Sequence, residues 1–191
     1  MMVSGGGDAP FAFEYTGNYT DNRDANGIGT VEFTSSGTLT VLSGKATVSA
    51  YILGAGGGAA VSYTQTSPAM YRKISGGGGG NQTVIVELVP GTYSIVVGTG
   101  GTGARGSGST TRTGGTGGDT TAFGYTSTGG TGGQYKSGNL TAGVGGTPNG
   151  GNGSTSTSST AMIAGGSPNG GAASSSSASP GGNGLVRLTF S

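Results

Sequence analysis

Leu185-Val186-Arg187-Leu188-Thr189-Phe190, an alternating stretch near the end of the chain, decides how the other residues of this 191-residue sequence are interpreted. Strict alternation of apolar and polar residues predicts a half-buried β-strand. The stretch follows a block, residues 98–184, in which glycine, serine and threonine leave almost no hydrophobic pattern. A disordered tail would have no reason to end in a strand, so we interpret the block as an insertion between strands of one folded body.

Further alternating stretches predict the remaining strands of that body. They are residues 11–15, 30–34, 38–42, 46–53, 83–89 and 93–97. Pro90-Gly91 predicts a tight turn between the last two, which would make them partners in a hairpin. No apolar stripe at helical spacing survives among so many glycine and serine residues. We therefore expect an all-β fold, an antiparallel, jelly-roll-like β-sandwich with essentially no α-helix.

The domain prediction is one folded unit with two glycine-rich insertions. We expect residues 1–10 to form a flexible arm and residues 11–191 to form a single glycine-rich β domain. Its strands fall in 11–97 and 185–191, and its insertions are 54–80 and 98–184. The apolar residues are concentrated in the strands, so the insertions must be either solvated or held by their own backbone hydrogen bonds.

Short glycine runs alternate with polar stretches throughout both insertions. Their spacing is irregular, whereas collagen needs glycine at every third position. An extended helix of polyglycine II type has three residues per turn and no internal hydrogen bonds, so its backbone groups must pair with neighbouring helices. The runs would form a bundle of such helices, and the polar stretches would form loops at its two ends. The alternative is a flexible linker, but glycine runs placed directly beside core strands favour the bundle.

Composition argues against most catalytic chemistry. The chain has no Cys and no His, so zinc sites, thiolate nucleophiles and Ser-His-Asp triads are excluded. We expect no enzyme, no metal and no cofactor. A net charge of +1 gives no basic footprint for nucleic acid. No apolar stretch is long enough to insert in a membrane, and residues 1–8 lack the pattern of a signal peptide.

Two glycine motifs, residues 54–59 and 98–103, match the dinucleotide-binding fingerprint. That fingerprint needs a helix immediately afterwards, whose N-terminus receives the pyrophosphate, and an acidic residue about 20 positions on. Neither follows these motifs, so chance in a glycine-rich chain is the preferred explanation.

The acidic residues are scattered and give only weak site candidates. Asp21 and Asp24 could share a calcium ion with neighbouring Asn side chains, although a solvated turn is preferred. Glu32 and Glu87 could serve as facing carboxylates for glycoside hydrolysis only in principle, because alternation predicts that both point outward from their strands.

The order of these pieces resembles that of a known family. The strand that ends at Leu53 runs into Gly54-Ala55-Gly56-Gly57-Gly58. Pro90-Gly91-Thr92-Tyr93-Ser94-Ile95-Val96-Val97 runs into Gly98-Thr99-Gly100-Gly101, and Gly118-Asp119-Thr120-Thr121-Ala122-Phe123-Gly124 follows. Over about residues 30–191 the chain is similar to the glycine-rich domain of bacteriophage tail and fibre proteins, and less closely to that of certain animal receptor kinases. The resemblance implies a β-sandwich that carries a polyglycine-II-like bundle.

In function, the resemblance implies a non-enzymatic virion protein, a fibre-tip or tail-associated adhesin whose distal loops bind the host surface. Its partners would be a host surface receptor, either a glycan or an outer-surface protein, and other virion proteins. A homotrimer is possible, since fibre parts of the family are commonly trimeric. A purely structural capsid or tail decoration protein is the alternative. Ice binding through threonine-rich runs is a third and weaker hypothesis.

Aromatic, cationic and methionine side chains between the glycine runs are the candidate receptor contacts, because Tyr and Arg are favoured at interface centres. The candidates are Tyr63, Met70, Tyr71, Arg72, Lys73, Tyr125, Tyr135 and Lys136. The alternative for Tyr63, Met70 and Tyr71 is that they cap the bundle or pack on a neighbouring subunit.

Overall fold

The computed structural model describes residues 10–65, 69–108, 110–159 and 161–191, so nearly all of the predicted arm lies outside the described residues. Strands and extended glycine segments make up this part of the chain, and it contains no helix. The strands are β1 (Ala12–Tyr15), β2 (Tyr19–Asp21), β3 (Gly29–Phe33), β4 (Gly37–Ser43), β5 (Ala46–Leu53), β6 (Ala60–Thr64), β7 (Met70–Ile74), β8 (Asn81–Leu88), β9 (Gly91–Val96), β10 (Ala104–Ser107), β11 (Arg112–Thr113), β12 (Thr120–Ala122), β13 (Tyr125–Ser127), β14 (Gln134–Lys136), β15 (Asn139–Thr141), β16 (Thr155–Ser156) and β17 (Leu185–Phe190).

Two five-stranded antiparallel sheets form the sandwich. One has the order β1-β4-β9-β12-β13, and the other has the order β2-β3-β17-β5-β8. Alternation along each strand turns one set of side chains inward, and Phe33, Leu39, Ile52, Ile95 and Leu188 are fully buried between the sheets. The predicted all-β fold is confirmed. Strand β17 lies between β3 and β5, which shows why the closing stretch has the alternating pattern of a central strand.

The predicted hairpin across Pro90-Gly91 is wrong. Strand β8 pairs with β5 in one sheet, whereas β9 pairs with β4 in the other, so the turn crosses from sheet to sheet. The Tyr93 hydroxyl closes this corner by accepting from the Val89 amide and donating to the Val89 carbonyl, both at 3.0 Å. Strands β8 and β9 each have an apolar face that must be buried. Because they lie in opposite sheets, both faces pack into the core between the sheets.

Ten glycine-rich segments, which we call the glycine bundle, extend from one end of the sandwich. Numbered in chain order, segments 1 to 10 are residues 54–59, 76–80, 98–103, 114–118, 129–133, 143–147, 150–153, 165–167, 169–172 and 179–184. Segment 1 continues directly from β5, segment 2 leads into β8, segment 3 follows β9 and segment 10 leads into β17. Segment 4 likewise leads into β12 and segment 5 follows β13, so the sandwich anchors the bundle at six points.

Hydrogen bonds of segment 1 repeat every three residues. Gly54 and Gly57 donate to carbonyls of segment 2, each at 2.8 Å. Ala55 and Gly58, the residues that follow them, donate to segment 4. Gly56 and Ala59 come next and donate to segment 10. Carbonyls of segment 1 in turn accept amides from segments 3, 5 and 9. A threefold extended helix requires such a three-residue repeat, because its backbone groups point outward in three directions.

Segment 2 is the second centre of the bundle. Its backbone groups bond to segments 1, 5, 6, 7, 8 and 9, so it also has six neighbours. The eight outer segments bond to one another in sequence order, which makes a closed ring around the two central ones. Residues 54–60 and 73–80 are accordingly all buried. Within the described chain, these two central segments are the ones that carry no side chain larger than a methyl group. Backbone surrounds both on every side, so a larger side chain would not fit.

The central positions leave no room for side chains. A Cβ atom added at Gly57, Gly58, Gly76, Gly78 or Gly79 would lie well inside 3.0 Å of a carbonyl oxygen on a neighbouring segment. Atoms that close repel strongly, so glycine at these positions is a steric requirement of the packing.

Outer segments carry a larger residue at every third position, and several of these residues cap backbone amides. Thr131 Oγ1 accepts from the Val144 amide at 2.7 Å, and Thr128 Oγ1 accepts from the Thr147 amide at 2.7 Å. Asp119 Oδ1 accepts from the Gly129 amide at 2.9 Å. An amide that points outward from the ring has no backbone carbonyl of another segment to bond to. These side chains supply the missing acceptor.

Candidate functional site

Five loops leave the glycine bundle at the end opposite the sandwich, and we call them together the tip. Their described residues are 60–65 with 69–75, 104–108 with 110–113, 134–142, 154–159 with 161–164, and 173–178. Consecutive segments run in opposite directions, as the antiparallel pairing of Gly54 with Gly80 and Gly57 with Gly77 shows. Every second connection therefore lies at the tip, and the connections between them lie against the sandwich.

A hairpin of β6 and β7 forms the centre of the tip. It extends the two central segments, and it belongs to a four-stranded sheet of order β10-β6-β7-β16. Residues 61–75 are one of the polar stretches that we expected to form loops, but their described part is largely strand. Thr66, Ser67 and Pro68 are outside the described residues. The register pairs Tyr63 with Tyr71, so both rings project from the same face of this sheet.

On that face, Tyr63 is the middle of a stack. The centroid of its ring lies 6.3 Å from that of the Tyr71 ring. Arg105, on the neighbouring strand β10, places its guanidinium carbon 4.7 Å from the Tyr63 centroid. Arg105 also donates from Nη2 to the Ser175 carbonyl at 3.2 Å. The stack joins three of the five loops and fixes one cation, Arg105, in an exposed position.

The opposite face of the hairpin is covered by the β14–β15 loop. Tyr135 is only 2% exposed and packs against Ala60 and Ile74. Arg72 lies over the Tyr135 ring, with its guanidinium carbon 5.5 Å from the centroid, and donates from Nη1 to Thr64 Oγ1 at 3.2 Å. Tyr135 is therefore a packing residue that holds Arg72, and it is not available for direct contact.

Lys73 is also buried. Its side chain is fully covered, and its Nζ donates to the Ala161 carbonyl of the fourth loop. Met70 is half exposed, and Lys136 is exposed at the turn between β14 and β15. The tip thus brings together Tyr63, Met70, Tyr71, Arg72 and Lys136 as accessible or half-buried groups.

Tyr125 lies at the other end of the molecule. It begins β13, in the β12–β13 hairpin at the edge of one sandwich sheet, and is 42% exposed there. The two-residue turn that precedes it, Phe123-Gly124, has positive φ at both residues, as tight hairpins of this kind require. Tyr125 is therefore not part of the tip, and the structure separates it from the other candidates.

Two cations of the tip were not among the candidates. Arg105 stacks on Tyr63, and the guanidinium group of Arg112 lies next to Gly106, where an added Cβ would overlap it. Arg112 Nη2 also donates to the Ser107 carbonyl at 3.1 Å. Both residues lie between glycine runs, which is the same sequence signal that selected Arg72 and Lys136.

The groups that the sequence offered for a nucleotide site and a calcium site already have hydrogen-bond partners within the protein. Every amide from Gly54 to Ala59 donates to a carbonyl within the bundle, so none is available for a phosphate. Asp21 accepts two bonds from the Arg23 side chain, at 2.9 and 2.7 Å, and these bonds lower its pKa below the ordinary value of 3.8. Asp24 Oδ1 accepts from the amides of Asn26 and Ile28, as in a solvated turn.

Glu32 and Glu87 do not face each other. They lie on β3 and β8, which are three strand positions apart in one sheet, or about 14 Å. Glycoside hydrolysis needs carboxyl groups about 5 to 9.5 Å apart. Glu32 instead pairs with Arg187, with Oε1 2.5 Å from Nε.

No protein-family model matches the chain, and no significantly similar sequence was found among curated proteins. In the described part of the chain, no helix is long and apolar enough to cross a membrane.

Proposed function

We propose that this chain is a bacteriophage virion protein, a fibre-tip or tail-associated adhesin that binds the host cell surface through the tip. In this proposal the glycine segments form a polyglycine II bundle, which the three-residue repeat of their hydrogen bonds supports. The sandwich would join other virion proteins, and the bundle would hold the tip away from the particle.

One observation carries the proposal: five loops are packed together at the end of the bundle farthest from the sandwich. Their side chains meet in small clusters, such as Val61 and Ala173, which pack with Ala59 of segment 1 on one face of the β6–β7 hairpin. A flexible linker would not build a core of its own so far from the main one. Binding groups held on a rigid support lose little conformational entropy on contact, which favours recognition.

The test uses two matched double variants of the full chain. Met70→Ala with Tyr71→Ala removes accessible side chains at the tip, whereas Tyr125→Ala with Ile85→Ala removes exposed side chains of the sandwich. We expect the labelled protein to bind cells of a susceptible strain within a bacterial panel. The tip variant should weaken binding about tenfold or more, and the sandwich variant should bind like the original protein.

Equal binding by both variants would contradict the assignment of the tip. Binding to virions without binding to any cell would favour a structural decoration protein. That alternative has its own support, because a bundle whose central amides are all paired would make a stiff spacer.

A further inference from the structure

The charges of this chain are divided between its two ends. Of its eight cationic residues, five lie in the tip loops, namely Arg72, Lys73, Arg105, Arg112 and Lys136. The tip loops contain no Asp and no Glu. Six of the seven acidic residues lie in the sandwich or where it meets the bundle, and the seventh, Asp8, precedes the described residues. A net charge of +1 thus conceals a strongly cationic tip and an acidic sandwich.

Among the described residues, no carboxylate pairs with a cation of the tip. Lys73 donates to a carbonyl oxygen, as do Arg105 and Arg112, and Arg72 donates to a hydroxyl. In the sandwich, by contrast, Arg23 and Arg187 are each paired with a carboxylate. Uncompensated charges of one sign at one end of a protein attract ligands of the opposite sign and speed their encounter.

We infer that the tip recognises an anionic glycan polymer, a sugar chain whose repeats carry phosphate or carboxylate groups. This inference rests on the proposed function and specifies its receptor class. Arg105 and Lys136 are exposed and Arg72 is half-buried, so their N–H groups can reach a bound chain. Guanidinium groups can bind phosphate or carboxylate with two parallel hydrogen bonds, which gives direction as well as charge attraction.

The geometry favours a glycan over a nucleic acid. Proteins that bind single strands use free aromatic faces on which bases stack. Here Arg105 covers a face of the Tyr63 ring, and Arg72 lies over the buried Tyr135 ring. The same stacking orients the two guanidinium groups and leaves their edges as donors. The acidic sandwich would also repel a long polyanion that followed the protein beyond the tip.

The test compares two double variants that remove the same charge from opposite ends. Arg105→Gln with Lys136→Gln alters the tip, and Lys45→Gln with Arg187→Gln alters the sandwich. The probes are immobilised poly(glycerol phosphate), polygalacturonate, neutral dextran and oligothymidylate. Binding of the full chain is measured at about 0.1 M and about 1 M salt, between which the screening length falls from about 10 Å to about 3 Å.

We expect the original protein to bind one or both anionic glycans and not dextran, and high salt should weaken this binding. The tip double variant should bind about tenfold or more weakly at low salt, and the sandwich variant should change by less than about twofold. The tighter of the two glycans identifies phosphate or carboxylate as the recognised group. Equal losses in both variants, no binding to either anionic glycan, or equal binding to dextran would overturn the inference, as would tighter binding to oligothymidylate.

Cell binding by the same two variants separates this inference from the proposed function. If cells bind the original protein and the tip variant equally well, charge recognition is wrong and the adhesin proposal stands. If no cell binds the original protein, the adhesin proposal fails, whatever the polymers show.

Discussion

Replacing Gly57 with alanine tests the packing of the glycine bundle most directly. The new Cβ atom would lie well inside 3.0 Å of both the carbonyl oxygen and the carbonyl carbon of Thr131. Those atoms belong to the backbone, so segment 5 would have to move by roughly 1 Å or more. The movement would break the bond from the Gly77 amide to Thr131 and strain the bond from Thr131 to Val144, both 2.9 Å long.

The expected cost follows from these two bonds. Leaving a buried amide or carbonyl without a partner costs about 1–3 kcal/mol. Replacing glycine also restricts the unfolded chain, which stabilises the protein by about 0.4–1 kcal/mol. The net loss should be about 2–4 kcal/mol, which for a chain of this length lowers the melting temperature by about 5–15 °C. Circular dichroism during heating measures this shift.

Gly182→Ala is the matched control. Gly182 lies in the outer ring and is exposed, and the nearest atom to an added Cβ is Asn169 Cβ at 3.1 Å. Its free energy of unfolding should stay within about 1 kcal/mol of the original protein. Melting temperatures that agree within about 2 °C for the two variants would refute the close packing of segments 1 and 5.

Three further predictions concern side chains that cap or pair. Asp119→Ala should destabilise the protein by about 1 kcal/mol because it removes the acceptor of the Gly129 amide. Asp119→Asn keeps an acceptor and should lose less stability. Urea unfolding of the two variants measures the difference. The bonds from Arg23 lower the pKa of Asp21, so the stability they give should be present above the unfolded pKa of about 3.9 and disappear as the pH falls through the lower folded pKa. The difference in melting temperature between the original protein and Asp21→Asn should therefore shrink between about pH 5 and about pH 2, and a constant difference would contradict the pairing. Arg187→Gln breaks a partly exposed ion pair with Glu32 and should cost no more than about 1 kcal/mol, so a larger loss would mean that the pair is less solvated than the structure indicates.

The strands of the core were the most predictable part of the fold. Residues 46–53 and 185–190 form β5 and β17 as predicted, and the other predicted strands differ only at their ends. Each has an alternating pattern because one face meets the core. Strand β2 was missed because the exposed Tyr19–Asp21 has no such pattern, and its pairing with β3 decides its form.

Sequence also contains a signal for the arrangement of the bundle. Larger residues recur at every third position in the outer runs, as at Thr99 and Thr102 or Thr128 and Thr131, whereas residues 54–58 and 76–80 contain only glycine and one alanine. A search for this three-residue period within each run would have separated outer from central segments. Counting glycine spacing over the whole block concealed it.

The candidate site was predicted only in part. Residue type and position between glycine runs selected Tyr63 and Tyr71, which pack together at the tip, and Arg72, which lies on the opposite face of the same hairpin. The same rule selected Tyr125, which the topology places beside the sandwich, and Tyr135, which packing buries. A sequence pattern cannot tell to which end of the bundle a loop belongs until the direction of each segment is known.

The closing stretch, residues 185–190, by itself determined that the glycine block lies inside a β fold, and the composition determined that little but backbone could hold that block together. Only the tertiary structure decided which runs are central, which loops share an end, and that five cations gather there. The reason is physical: glycine segments have no side chains to specify neighbours, so their order depends on backbone hydrogen bonds between residues far apart in the chain.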